Sequence, residues 1–216
     1  HNSFPHSVGI ASSASGMSAL ALCLSTLEEN ETGENSSPED FFRRASYLAR
    51  LGSGSASRSV YGGIVTWGKT DKVKNSTDEY AARYPGKVND IFNHFHDDIL
   101  VVSTRKKSVS SRAGHGLMDT HPFAESRYKQ AETNLDNLFK AMAGADMAAF
   151  CDIVENEALT LHALMLSSMP QVVILEPQTI DIVKKVRAFR ESGRIHEPAD
   201  IFTLRERDGE DLPRLA

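Results

Sequence analysis

Phe4-Pro5-His6-Ser7-Val8-Gly9-Ile10-Ala11-Ser12-Ser13-Ala14-Ser15-Gly16 (FPHSVGIASSASG) mixes small residues with hydroxyls and runs straight into a helical pattern. A phosphate needs several N–H donors converging on one point. Small residues at a helix N-terminus permit that approach, and the helix dipole favours the charge. Gly9, Ala11, Ala14 and Gly16 leave room for the backbone to close in, while Ser12 and Ser13 offer hydroxyl contacts. No lysine occupies a GK[ST] position, so this is not a Walker loop. The structural alternative is a small-residue helix packed tightly on a sheet. From Ala14 to Glu29, Met17, Leu20, Ala21, Leu24 and Leu27 recur at three- and four-residue steps, which predicts an amphipathic helix with these residues as its apolar stripe.

Downstream, Ser37-Pro38-Glu39-Asp40 carries a cap, a proline and two acids, the signals of a helix start. That helix holds Phe41, Phe42, Ala45, Leu48 and Ala49 and stops at Gly52. Gly52-Ser53-Gly54-Ser55-Ala56-Ser57-Arg58-Ser59 is then a second loop rich in backbone donors and hydroxyls, with an arginine whose planar fork suits carboxylate or phosphate. A flexible linker fits poorly between an apolar helix and Val60-Tyr61-Gly62-Gly63. Two anion-binding loops imply two anionic ligands, or one ligand and a phosphoryl donor. Gly63 to Trp67 reads as a strand turning at Gly68, and 71–96 as polar with weak helical signals and a break at Pro85-Gly86.

Character changes near Asp97. Ile99 to Val102 reads as a buried strand, 106–116 as a polar loop, and Phe123–Ala143 and Ala145–Ser168 as two long helices around Gly144. Gln171 to Leu175 reads as a strand, Thr179 to Ser192 as a helix and Ile201 to Leu204 as a last strand. This order predicts an α+β second part, with the division placed at 1–96 and 97–216.

The 216 residues, 40% hydrophobic and 25% charged, suit a folded globular chain rather than a disordered one. A net charge of −5 without a basic block argues against nucleic acid and anionic membrane as partners. No apolar run reaches the length of a membrane span. Cys23 and Cys151 read as a reduced pair. His94, His96, Asp97 and Asp98 have metal-ligand types, but no ordered turn brings them together in the sequence pattern, and no metal site is expected. Met17, Met142, Met147, Met165 and Met169 read as core filling, and Glu125, Arg127, Lys129 and Glu132 as a solvated helix face. His115 and His121 read as surface or packing residues.

FPHSVGIASSASG is similar to the ATP-binding loop of the GHMP small-molecule kinase superfamily. GSGSASRSVYGG resembles the signature of the mevalonate diphosphate decarboxylase family within it. The resemblance runs in order through Ile64 to Gly68, Val101 to Ser103, Val109 to Ser111, Met169-Pro170 and Ile201 to Leu204. It implies a GHMP two-domain α+β fold, with an N-terminal part like ribosomal protein S5 domain 2 and a ferredoxin-like C-terminal part, both incomplete here. It also implies ATP and Mg2+ as cofactors, mevalonate 5-diphosphate as substrate, isopentenyl diphosphate as product, and a cytoplasmic homodimer. Gly9, Ala11, Ser12, Ser13 and Ala14 match the ATP loop. Ser53, Gly54, Ser55, Ala56, Ser57 and Arg58 match the substrate loop, with Arg58 gripping carboxylate or phosphate. Ser110, Ser111 and Arg112 match a turn beside the substrate diphosphate. The chain departs from the family pattern at Arg112, where a threonine is usual. It departs again at Arg205, where the family opens a DAG segment with its catalytic aspartate. A lysine that helps bind the diphosphate would precede His1, so the chain is expected to be a fragment. The alternatives are a related kinase that stops at phosphorylation and a nucleotide-binding homologue without turnover.

Overall fold

The computed structural model describes residues 10–96, 98–103 and 111–192, the side chains of Ser111 and Arg112 excepted. Helix α1 (Ser12–Thr32) begins after Ala11 and ends at Gly33. There a left-handed backbone (φ 70°) lets the glycine N–H cap the Glu29 carbonyl without a Cβ penalty. Helix α2 (Pro38–Gly52) starts as its sequence dictates. The Ser37 hydroxyl accepts the Asp40 N–H at 3.1 Å, Pro38 sits where no N–H is needed, and Glu39 and Asp40 face the positive end of the dipole.

The two helices meet through their smallest residues. Ala14, Ser18, Ala21 and Ser25 of α1 are buried, as are Ala45, Ser46 and Ala49 of α2. Ala56 and Val60 complete this core, with Met17, Leu22, Leu48 and Tyr61 packed at its edge. The expected leucine stripe of α1 is therefore wrong. Leu20, Leu24 and Leu27 remain 50%, 46% and 54% exposed, because the alanine–serine face lets the α2 backbone come close and takes the inward position. Of the expected stripe only Ala21 is fully buried, with Met17 at the rim.

Behind α2 the chain turns through a short helix α3 (Ala56–Ser59) into a two-stranded antiparallel sheet. Its strands are β1 (Val65–Thr66) and β2 (Ala82–Arg83), Val65 standing opposite Arg83. The expected strand at Gly63–Trp67 thus shrinks to two residues, and its partner comes from the segment read as weakly helical. One hydroxyl joins these pieces: Ser46 Oγ donates to the Ser57 carbonyl and accepts the Ala81 N–H, each at 2.8 Å.

After β2 a strap runs onto the second helical group, α4 (Ser111–Gly116), α5 (Ala124–Gly144), α6 (Met147–Ser167) and α7 (Pro177–Glu191). Tyr84 stacks on Phe139 of α5 with centroids 4.3 Å apart, the Asn89 N–H donates to the Met142 carbonyl, and Phe92 and Phe95 pack on Phe150 of α6. Between α5 and α6, Ala145 takes a left-handed backbone and Asp146 caps the next helix through the Ala149 N–H. The α7 helix buries no residue; Arg187 and Arg190 tie it to Glu155 and Asp152 of α6.

Two other expected strands are absent. Ile99 to Val102 and Gln171 to Leu175 carry no ladder, and Ile99 and Leu100 lie exposed. Apolar runs become strands only where a neighbouring strand takes up their hydrogen bonds in register, and the Val172 N–H donates instead to the Met165 carbonyl at the end of α6, at 2.9 Å. Part of the expected loop at 106–116 is helical as α4. Ile201 to Leu204 lie outside the described residues. Met142 and Met165 are buried as expected, but Met169 is 85% exposed beyond the end of α6. Both cysteines are free. His121 is buried, its Nε2 3.2 Å from Ser167 Oγ.

Arg127 does not belong to a solvated face either. It grips Glu157 of α6 with both terminal nitrogens, and Asn134 donates to the same carboxylate at 2.7 Å. Burial raises the Glu157 pKa, but the bonds from Arg127 and Asn134 outweigh it, leaving the group below its ordinary value. A depressed folded-state pKa contributes stability that is present above the unfolded value and lost as pH falls through the folded one. The melting temperature of the chain should therefore fall below the ordinary carboxylate range, about pH 4, and Glu157→Gln should flatten part of that fall. An identical acid limb in Glu157→Gln, followed by circular dichroism, would refute the assignment.

Candidate anion-binding site

The first loop reaches the described residues at Ile10, so Gly9 lies outside them. Ala11 holds a left-handed backbone (φ 56°, ψ 33°), unusual for a residue with a Cβ and costing on the order of 1 kcal/mol. Its short side chain offers no capping oxygen, so the first-turn N–H groups, which lack intrahelical acceptors, are not covered from the Ncap position. Ala14 is buried against α2, Ser12 is half-buried and Ser13 is exposed at the helix start.

The second loop comes to this helix end. Ser53 closes α2, its N–H bonded to the Ala49 carbonyl, and its Oγ lies 3.4 Å from Ser13 Oγ. The turn is fixed from within: the Gly54 carbonyl accepts both the Ser57 N–H and the Ser57 hydroxyl, the latter at 2.8 Å. Gly54 also lies so near the Trp67 ring that a Cβ would stand 2.8 Å from it. Ala56 and Ser57 point into the core, so a ligand at this turn meets them only through their backbone. Ser55 and Arg58 are exposed, and among the described residues Arg58 has no ion pair. Close by, burial raises the Tyr61 pKa, with Arg43 and Arg83 offsetting part of the effect. Ser110 and the side chains of Ser111 and Arg112 lie outside the described residues, and so does Arg205.

The expected residues thus divide. Ser13, Ser53 and the 53–58 turn assemble on one surface, whereas Ala14, Ala56 and Ser57 build the scaffold beneath it. Sequence reading missed Ser46, whose buried hydroxyl braces the turn through the Ser57 carbonyl, and Trp67, which walls it. A serine on the inner face of an amphipathic helix was the available signal for Ser46. Trp67 had none, since twelve residues and a turn separate it from Gly54.

No group of three or more metal-ligating side chains assembles among the described residues. Asp90, exposed and held below its ordinary pKa by bonds from Asn93 and His94, engages His94 locally. No helix among the described residues is long and apolar enough to cross a membrane.

The start of α1 and the hydroxyl-lined turn thus meet at Ser13 and Ser53, with the exposed Arg58 farther along the same turn. The chain belongs to the diphosphomevalonate decarboxylase family: residues 1–81 match the diphosphomevalonate decarboxylase-like N-terminal domain and residues 98–199 the mevalonate 5-diphosphate decarboxylase C-terminal domain. A diphosphomevalonate decarboxylase of Debaryomyces hansenii is 30% identical over 90% of this chain and 48% of its own length. The mevalonate diphosphate decarboxylase of Legionella pneumophila superposes with a TM-score of 0.69 at 29% identity, over 88% of this chain and 56% of its own. A further solved structure, described as MDDEF in complex with MVAPP, AMPPCP and magnesium, gives 0.68 at 30% identity over 88% and 54%. These likenesses identify the helical arrangement with its small sheet as part of the α+β GHMP fold. The chain spans about half the length of the curated relatives it matches.

Proposed function

We propose that the protein takes part in the ATP-dependent decarboxylation of mevalonate 5-diphosphate to isopentenyl diphosphate. The observation that carries this reading is the 3.4 Å approach of Ser13 to Ser53, which merges two separate anion loops into one cleft wall. The left-handed Ala11 and the small first turn of α1 fit the phosphates of ATP, with Ser12 and Ser13 as hydroxyl partners. Ser53, Ser55 and Arg58 take the carboxylate or diphosphate of the substrate. ATP supplies the phosphoryl group that turns a tertiary hydroxyl into a leaving group. Loss of that phosphate with CO2 then leaves the electrons of the broken C–C bond in the new double bond.

The work left to this chain's residues is positioning and charge stabilisation. Arg58 holds the negative end still while Ser13 and Ser53 keep the two anions at a fixed separation. The described residues give magnesium no set of three side-chain ligands, so no protein contact to it is assigned. Ser110, Ser111 and Arg112 belong beside the substrate diphosphate in this reading, the division between domains falls near residue 97, and the working form is a cytoplasmic homodimer. The family resemblance supports these last points.

The test is product analysis with ATP and mevalonate 5-diphosphate, using a protein of the relatives' length that contains this segment. Phosphate and CO2 in equal amounts are expected. ATP consumption without CO2 would establish a kinase instead, and binding without turnover a silent homologue; either result overturns the proposal.

A further inference from the structure

We propose that Trp67 is a positioning residue for the anion-binding turn, a wall that holds Gly54, and through it Ser53, in the shape that meets Ser13. This inference rests on the reading of Ser53 to Arg58 as an anion-binding loop. Trp67 is the sole tryptophan of the chain, and it remains 37% exposed. Its indole N–H donates to the Asp78 carbonyl at 3.0 Å, which pins the ring. The bracket behind it is itself tied: the Asp78 carboxylate accepts the Lys69 N–H at 2.8 Å, and the Gly68 N–H donates to the Thr77 carbonyl at 3.1 Å. On the other side the ring lies against Gly54 so closely that a Cβ there would sit 2.8 Å from one ring carbon and 3.4 Å from the next.

Glycine is the most permissive backbone position available, and here it occupies the middle of the turn that must present Ser53. The Ser57 hydroxyl restrains that turn from the core side. Trp67 restrains it from the other side, its ring supplying the three atoms nearest to where a Gly54 Cβ would stand. Without the ring the Gly54 backbone gains conformers, and the separation of Ser13 and Ser53 is no longer set.

The test is calorimetric titration of the 216-residue chain with inorganic pyrophosphate, together with the emission of its single tryptophan. Trp67→Ala is expected to weaken pyrophosphate binding about tenfold, since small misplacements of binding groups carry large penalties. Trp67→Phe, which keeps a ring against Gly54, should stay within about threefold of the wild type. Gly54→Ala should weaken binding and shift the Trp67 emission to longer wavelength, because the new Cβ displaces the ring. In a Trp67→Ala background the same glycine substitution should add no further loss, as residues in contact are non-additive. Undiminished binding by Trp67→Ala, a Phe variant as weak as the Ala variant, an unmoved emission, or additive losses would each overturn the inference. A wild-type chain that binds no pyrophosphate overturns the anion site itself and the inference with it.

Discussion

Replacing Ser46 with alanine should destabilise the chain by about 2–4 kcal/mol, the cost of leaving one buried donor and one buried acceptor unmade. The hydroxyl stands in the interior of α2, donates to the Ser57 carbonyl and receives the Ala81 N–H, both at 2.8 Å. Alanine fills the same space apart from the oxygen, so nothing repacks to satisfy the two orphaned groups. For a chain of this size the midpoint of thermal unfolding should drop by roughly 5–15 °C. The same loss frees the Ser57 backbone, and with it the bond that Ser57 makes to the Gly54 carbonyl. Pyrophosphate affinity should therefore fall along with stability. Ser25→Ala is the matched control. That hydroxyl is equally buried but finds no partner among the described residues, so its removal should be neutral within about 0.5 kcal/mol or slightly stabilising. Equal melting points for Ser46→Ala and Ser25→Ala would refute the bracing role.

The second large effect is expected at Arg58. Charge-assisted hydrogen bonds contribute about 1.5–3 kcal/mol, so Arg58→Ala should lower pyrophosphate affinity roughly 10- to 100-fold. Arg58 is exposed and holds no ion pair among the described residues, so this loss should leave the melting temperature almost unchanged. Arg58→Lys should recover only part of the affinity. A lysine restores the charge but not the planar pair of donors. Full recovery by lysine would mean that the residue acts as a point charge near the ligand rather than as a fork on it. Wild-type affinity in Arg58→Ala would remove it from the site.

Much of the helical part of this fold was legible before any coordinates. The cap at Ser37, the proline at 38 and the stop at Gly52 are local signals with local causes, and α2 obeys all three. The long helices around Gly144 were legible for the same reason. The sheet was not. Val65 and Thr66 find their partners at Ala82 and Arg83, across a polar stretch whose composition conveys nothing about pairing. Ile99 to Val102 shows the converse, an apolar run without a ladder.

The inner face of α1 failed for a different reason. Hydrophobicity ranks leucine above alanine and serine, whereas close helix contact ranks by size, and size decided the matter here. In the site, the residue types were legible but the roles of Ala56 and Ser57 were not. The loop pattern marks which residues are small without saying which of them point inward.

The contact between α1 and α2 has a consequence for how such chains diverge. Ala21, Ala45 and Ala49 have chemically plain side chains, yet each is almost fully enclosed, and any larger replacement must push two backbones apart. Leu20, Leu24 and Leu27 are the more conspicuous letters in the text, yet none of them belongs to this contact. Drift at this contact should therefore be slowest at its smallest side chains, so part of the lineage in this segment is carried by its least distinctive residues.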